Sequence, residues 1–92
     1  IAISIIAKDY GMTTVAFNKL LHRLGIQYKV GNQWVLYAKY MYIGYTETVT
    51  YAFSKAPNPK VNRTTKWTQK GIKFLYDTLK EAGIIPLVEK NH

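Results

Sequence analysis

The stretch Ala7–Gly25, AKDYGMTTVAFNKLLHRLG, decides how this chain is read. Upstream, Ile3, Ile6, Ala7 and Tyr10 recur at helical spacing, so a short helix is predicted from Ser4, its N-cap, to Tyr10. Gly11 ends it, because the turn needs a left-handed backbone that glycine adopts at little cost. Thr13 then caps a second helix, with Ala16, Phe17, Leu20, Leu21 and Leu24 as its buried stripe and Gly25 as its stop. That phase turns Thr13, Thr14, Val15, Asn18, Lys19 and His22 outward. Such a face is ordinary surface, a surface for DNA, or a surface for another protein.

Two short helices joined at a glycine fit a helix-turn-helix, whose second helix lays its N-terminal residues in the DNA major groove. The motif needs a small residue where the helices approach, and Ala7 supplies it. It needs apolar anchors for the second helix, and Ile6, Tyr10, Met12, Phe17 and Leu20 fall where those belong. On the outward face, Thr13 and Thr14 sit at a helix N-terminus, where hydroxyls and free N–H groups suit phosphate oxygens. Val15 suits a thymine methyl, Asn18 the edge of adenine, and Lys19 guanine or phosphate; His22 and Arg23, one turn on, suit the DNA backbone.

The next segment, IQYKVGNQWVLY (Ile26–Tyr37), reads as a β-hairpin turning at Gly31-Asn32. A hairpin directly after a recognition helix is the arrangement of a winged helix, with Lys29, Gly31, Asn32 and Gln33 at the tip. Tyr37–Tyr45 is read as a short helix ending at Gly44. TETVTYAFSK (Thr46–Lys55) alternates like a strand and pairs with RTTKWT (Arg63–Thr68) in a longer hairpin. Its connecting loop, which holds two prolines, offers Asn58, Lys60, Asn62 and Arg63 as a second wing. A helix capped by Thr68 follows, with Ile72, Leu75, Tyr76, Leu79 and Ala82 as its stripe, stopped by Gly83 and Pro86. The whole is an α+β, winged helix-turn-helix domain with two β-hairpins and a C-terminal helix over residues 1–86. Residues 87–92 form a flexible tail.

Charge agrees with a polyanionic partner. Thirteen Lys and Arg face five Asp and Glu, a net charge of +8. Between Asp9 and Asp77 the sequence holds ten basic residues and one acid, Glu47. A field of that sign attracts nucleic acid, though a basic solvated surface has the same composition. Tyr28, Trp34, Tyr37, Tyr40, Tyr42, Tyr45, Tyr51 and Trp67 are read as core residues with polar tips outward rather than stacking platforms, which favours double-stranded DNA over single strands. Tyr40, Tyr42 and Phe74 are the exposed aromatics suited to self-association.

Other function classes find little support. With no cysteine there is no disulfide and no thiolate metal site, and no metal or cofactor is expected. Two serines (Ser4, Ser54) and two histidines (His22, His92), without a glycine-rich phosphate loop or a carboxylate pair, offer no catalytic constellation. The longest apolar runs, such as WVLYA, are too short to span a bilayer, so no membrane association is expected. The sequence begins with Ile, which reads as a piece excised from a longer protein, with function divided between it and a missing partner domain.

Two further stretches, FNKLLHRLGIQYKVGNQWVLYAKYMYIGYT (Phe17–Thr46) and TKWTQKGIKFLYDTLKEAGIIP (Thr65–Pro86), resemble the C-terminal KilAC domain of phage antirepressor proteins. The recurring words are NKLLHRLG, QY, W, LYAKY, GYT, KWTQKG and LKEAGIIP, and the likeness runs from about Ile3 to Pro86. The loop SKAPNPKVN (Ser54–Asn62) is the least family-like stretch. The resemblance implies a phage or prophage protein of the host bacterial cytoplasm that helps switch from lysogeny to lytic growth. It leaves the partner open between double-stranded DNA and a phage repressor protein, with homo-oligomerisation as a third role. The candidate DNA-contacting residues are Thr13, Thr14, Val15, Asn18, Lys19, His22, Arg23, Lys29, Asn32, Gln33, Lys60 and Arg63.

Overall fold

The computed structural model describes residues 1–52 and 61–90 of the backbone, and side chains outside 49–64. The elements run α1 (Ile3–Asp9), α2 (Thr14–Arg23), β1 (Gln27–Val30), β2 (Gln33–Leu36), a single 3-10 turn at Ala38–Tyr40, β3 (Thr46–Ala52), β4 (Val61–Trp67), α3 (Gln69–Glu81) and α4 (Leu87–Lys90). The α+β class holds: helices accompany two separate two-stranded antiparallel sheets, β1–β2 and β3–β4.

The core forms where α1, α2 and α3 bring their apolar faces together. Ile6, Ala7, Tyr10, Phe17, Leu20, Leu21, Ile26, Trp67, Leu75 and Leu79 are buried there. Tyr10 stacks on Phe17 across the α1–α2 turn at 5.5 Å between ring centroids. Four of the five expected anchors of α2 are buried and the fifth, Met12, packs half-buried against them. Gly11 turns the chain at φ 70°, and both caps act as read: the Ala16 N–H donates to Thr13 Oγ1, and the Gly71 N–H to Thr68 Oγ1, each at 3.1 Å.

Several boundaries differ from the sequence reading. Helix α1 starts at Ile3 with Ala2 rather than Ser4 as its N-cap. Beside this start, the Ile1 nitrogen donates to the Trp67 carbonyl (2.7 Å) and the Ile1 carbonyl accepts from the Trp67 N–H (2.8 Å). That pairing ties the chain to β4. The expected helix before Gly44 shrinks to the 3-10 turn, after which Tyr42 takes a positive φ of 64°. Strand β4 begins at Val61, so Val61 and Asn62 belong to the ladder rather than to the loop. Ala16 is exposed and Ala82 caps α3 instead of packing in its stripe. At the C-terminus, Leu87–Lys90 form one helical turn where fraying was expected, and the Tyr76 hydroxyl donates to the Glu89 carboxylate.

The segment before β3 is anchored to the start of α3. The Thr68 hydroxyl donates toward the Gly44 carbonyl (2.5 Å), the Thr68 N–H donates to the Tyr45 carbonyl (3.0 Å), and Lys70 Nζ donates to the Ile43 carbonyl (2.9 Å). Gly71 permits this approach: a Cβ there would lie 2.0 Å from the Tyr45 carbonyl oxygen. Tyr45 then stacks on Phe74 at 4.2 Å and 8°. Tyr40 packs against the same ring at 4.9 Å, so Tyr40 and Phe74 are half-buried rather than an exposed patch. Tyr42 alone of that trio is open, at 98% exposure.

Candidate nucleic-acid interface

Helix α2 and the β1–β2 hairpin together present most of the predicted contact residues. Along α2, Val15, Lys19, His22 and Arg23 are exposed, and their spacing places them on one continuous face. No acidic side chain interrupts α2, and its last turn carries His22 and Arg23. At its start, Thr13 is exposed and Thr14 half-buried. The cap leaves the N–H groups of Thr14 and Val15 without an intrahelical acceptor, as the first turn of any helix does. Those donors point the positive end of the helix dipole toward an incoming anion.

Asn18 departs from this face. It is 9% exposed, and its side-chain oxygen accepts from Gln27 Nε2 at 2.9 Å. The expectation that Asn18 faces outward is therefore corrected: the side chain turns inward to the hairpin. The physical reason is that Gln27, itself 4% exposed, brings an amide into the helix–strand junction, and a buried amide needs a partner. The same Gln27 nitrogen lies 3.4 Å from the Asn18 backbone carbonyl. Helical phase read from Ala16, Phe17, Leu20, Leu21 and Leu24 carries no signal for Gln27, whose bond to Asn18 exists only once the hairpin packs against α2.

The hairpin is fixed against α2 by more than this amide pair. Gln27, Lys29, Trp34 and Leu36 share one face of the β1–β2 ladder, where Lys29 stands opposite Trp34 and Gln27 opposite Leu36. The Trp34 ring packs against His22 at 5.9 Å, and Lys29 Nζ lies 5.9 Å from the centroid of the same ring. His22 thus has a packing partner as well as an exposed edge. Beyond Trp34 the hairpin turns at Gly31, whose φ of 59° suits the first position of a two-residue turn, and Lys29, Asn32 and Gln33 are exposed at or near the tip. The hairpin tip and the α2 face accordingly belong to one contiguous unit.

The second hairpin contributes less that can be described. Lys60 lies outside the described residues. Arg63 stands opposite Thr50 in the β3–β4 register, and its side chain lies outside the description. Among the described residues no cluster of His, Asp or Glu could hold a metal ion, and no helix is long and apolar enough to cross a membrane.

Comparison with protein families settles the kinship. The model of the phage antirepressor protein KilAC domain matches residues 1–82. The chain belongs to that family. The KilAC match covers both helices of the first turn, both hairpins and all of α3, ending at Ala82, the cap of α3. KilAC antirepressor domains are generally non-enzymatic. Comparison with curated proteins and with solved structures yields no match.

Proposed function

We infer that this KilAC domain binds double-stranded DNA as a winged helix-turn-helix and serves a phage antirepressor in the switch between lysogenic and lytic growth. The observation that carries the reading is the joined surface of α2 and the first hairpin. Lys19 and Arg23 lie exposed on one helical face, and the Trp34–His22 contact holds the Lys29 hairpin beside them. In this reading α2 enters the major groove with Thr13, Thr14, Val15 and Lys19 foremost. His22 and Arg23 face the sugar–phosphate backbone, and the tip with Lys29, Asn32 and Gln33 is the wing.

The energetics follow from charge. Three described cations, Lys19, Arg23 and Lys29, supply phosphate contacts. They give a slope of log affinity against log salt of about −2.7, to which Lys60 and Arg63 of the second hairpin would add. The testing experiment is a salt titration of duplex binding by the parent and by the Lys19→Ala, Arg23→Ala double variant. The slope of the variant is expected to be shallower by about 1.8. An unchanged slope and affinity would remove α2 from the interface.

A further inference from the structure

A cavity of about 730 Å³ opens between the two hairpins. One of its walls is strand β2. All four residues of β2, Gln33–Leu36, line it. Successive strand residues point to opposite faces, so a cavity touching four in a row lies against the strand's edge, not a face. The opposite wall is one face of the other hairpin, where the register pairs Thr46 with Trp67 and Thr48 with Thr65. At the floor sits the Asn18–Gln27 amide pair.

The edge of β2 carries unused backbone groups. In a two-residue hairpin the residues flanking the turn exchange hydrogen bonds, here Val30 and Gln33. The alternation makes Tyr28 and Val35 the next bonded pair, and the Tyr37 N–H donating to the Ile26 carbonyl at 3.1 Å continues it. Trp34 and Leu36 therefore direct their N–H and C=O groups away from β1, and β2 has no second neighbour in its sheet. Among the described residues, neither forms a backbone bond outside the ladder. Open edges of this kind are templates for strand addition.

The lining also states what it will accept. None of the described lining residues carries a charged side chain, in a chain with 13 Lys and Arg and five Asp and Glu. Aromatic rings, threonine hydroxyls and side-chain amides supply the wall. Among the described residues phosphate has no cation to meet in this lining, which sets it apart from the exposed Lys19 and Arg23 of α2.

We propose that the cavity receives an extended, uncharged peptide segment of a partner protein, which adds as a third strand to the β2 edge at Trp34 and Leu36. The peptide backbone exchanges hydrogen bonds with those two residues. Its side chains alternate between the two faces of the extended sheet, one set on the side of the Asn18–Gln27 pair. This goes beyond the DNA-binding reading and does not depend on it.

The test is a library of acetylated, amidated heptapeptides of uncharged residues, screened against the 92-residue domain, with amide hydrogen exchange followed by NMR on the bound members. Bound peptides are expected to slow exchange at Trp34 and Leu36 at least about ten-fold. N-methylation of alternate peptide nitrogens is expected to weaken binding at least about ten-fold. The Lys19→Ala, Arg23→Ala variant is expected to bind the same peptides unchanged, which separates this outcome from that of the DNA reading. The proposal is overturned by a library without binders or by bound peptides that leave Trp34 and Leu36 exchanging freely. It is equally overturned if adenosine or thymidine occupies the cavity in place of peptide. Protection of these amides by self-association of the domain alone would assign the edge to a second copy instead.

Discussion

Replacing Asn18 by Ala separates the two roles that a polar residue on α2 can have. The substitution removes the 2.9 Å bond from Gln27 Nε2 and leaves that nitrogen only the 3.4 Å contact to the Asn18 carbonyl. Gln27 is 4% exposed, so its amide is largely desolvated and depends on the Asn18 side chain. Stranding a buried donor costs about 1–3 kcal/mol. For a domain of this size that corresponds to a fall in Tm of about 5–20 °C. The whole domain holds about 5–15 kcal/mol, so the variant remains folded at low temperature. Thermal unfolding followed by circular dichroism measures the first effect, and fluorescence anisotropy with duplex DNA at 10 °C measures the second. Stability is expected to fall while duplex affinity and sequence preference hold. Asn18→Leu combined with Gln27→Leu, which removes both partners, is expected to recover much of the loss. An Asn18→Ala variant that melted like the parent but lost sequence preference would refute the inward placement and return Asn18 to the base-reading face.

Three further outcomes are expected. Gly71→Ala, which in an exposed helix would stabilise by about 1 kcal/mol, is expected here to destabilise by about 3 kcal/mol in urea unfolding, because the new methyl would meet the Tyr45 carbonyl. Thr13→Ala removes the bond to the Ala16 N–H and is expected to cost about 1 kcal/mol in the same assay. Burial, with smaller contributions from Tyr76, Glu89 and Asp9, pushes the Tyr10 hydroxyl up from 10.0 to about 12. Its stabilising contribution is therefore complete below pH 10 and lost as pH rises toward 12. Urea unfolding across that window is expected to show the parent losing stability relative to Tyr10→Phe as pH rises, since the variant has no proton to lose there.

Periodicity and caps made much of this fold legible. Thr13, Thr68, Gly11 and the Gly31-Asn32 turn each act locally, and each does in the structure what its residue type dictates. The hydrophobic anchors of α2 were equally legible, since Phe17, Leu20 and Leu21 admit one buried face. What escaped was settled by distant contacts. Asn18 turned inward because Gln27, nine residues on, needed a partner. Tyr40 and Phe74 left the surface because Gly71 lets the Tyr45 segment lie against α3. Ile1, beside the early start of α1, pairs with Trp67, 66 residues away. The same limit holds for the site: helical phase shows Val15, Lys19, His22 and Arg23 on the exposed face of α2, whereas the open β2 edge and its cavity exist only once both hairpins are placed.

The central claim is that the α2 face and its hairpin read duplex DNA. Fluorescence anisotropy of the domain titrated with phage regulatory-region duplex and with a scrambled duplex, across a salt series, tests it most directly. The account predicts tighter binding to the regulatory duplex that persists near physiological salt. Weak binding, equal for both duplexes and gone by that salt, would contradict it.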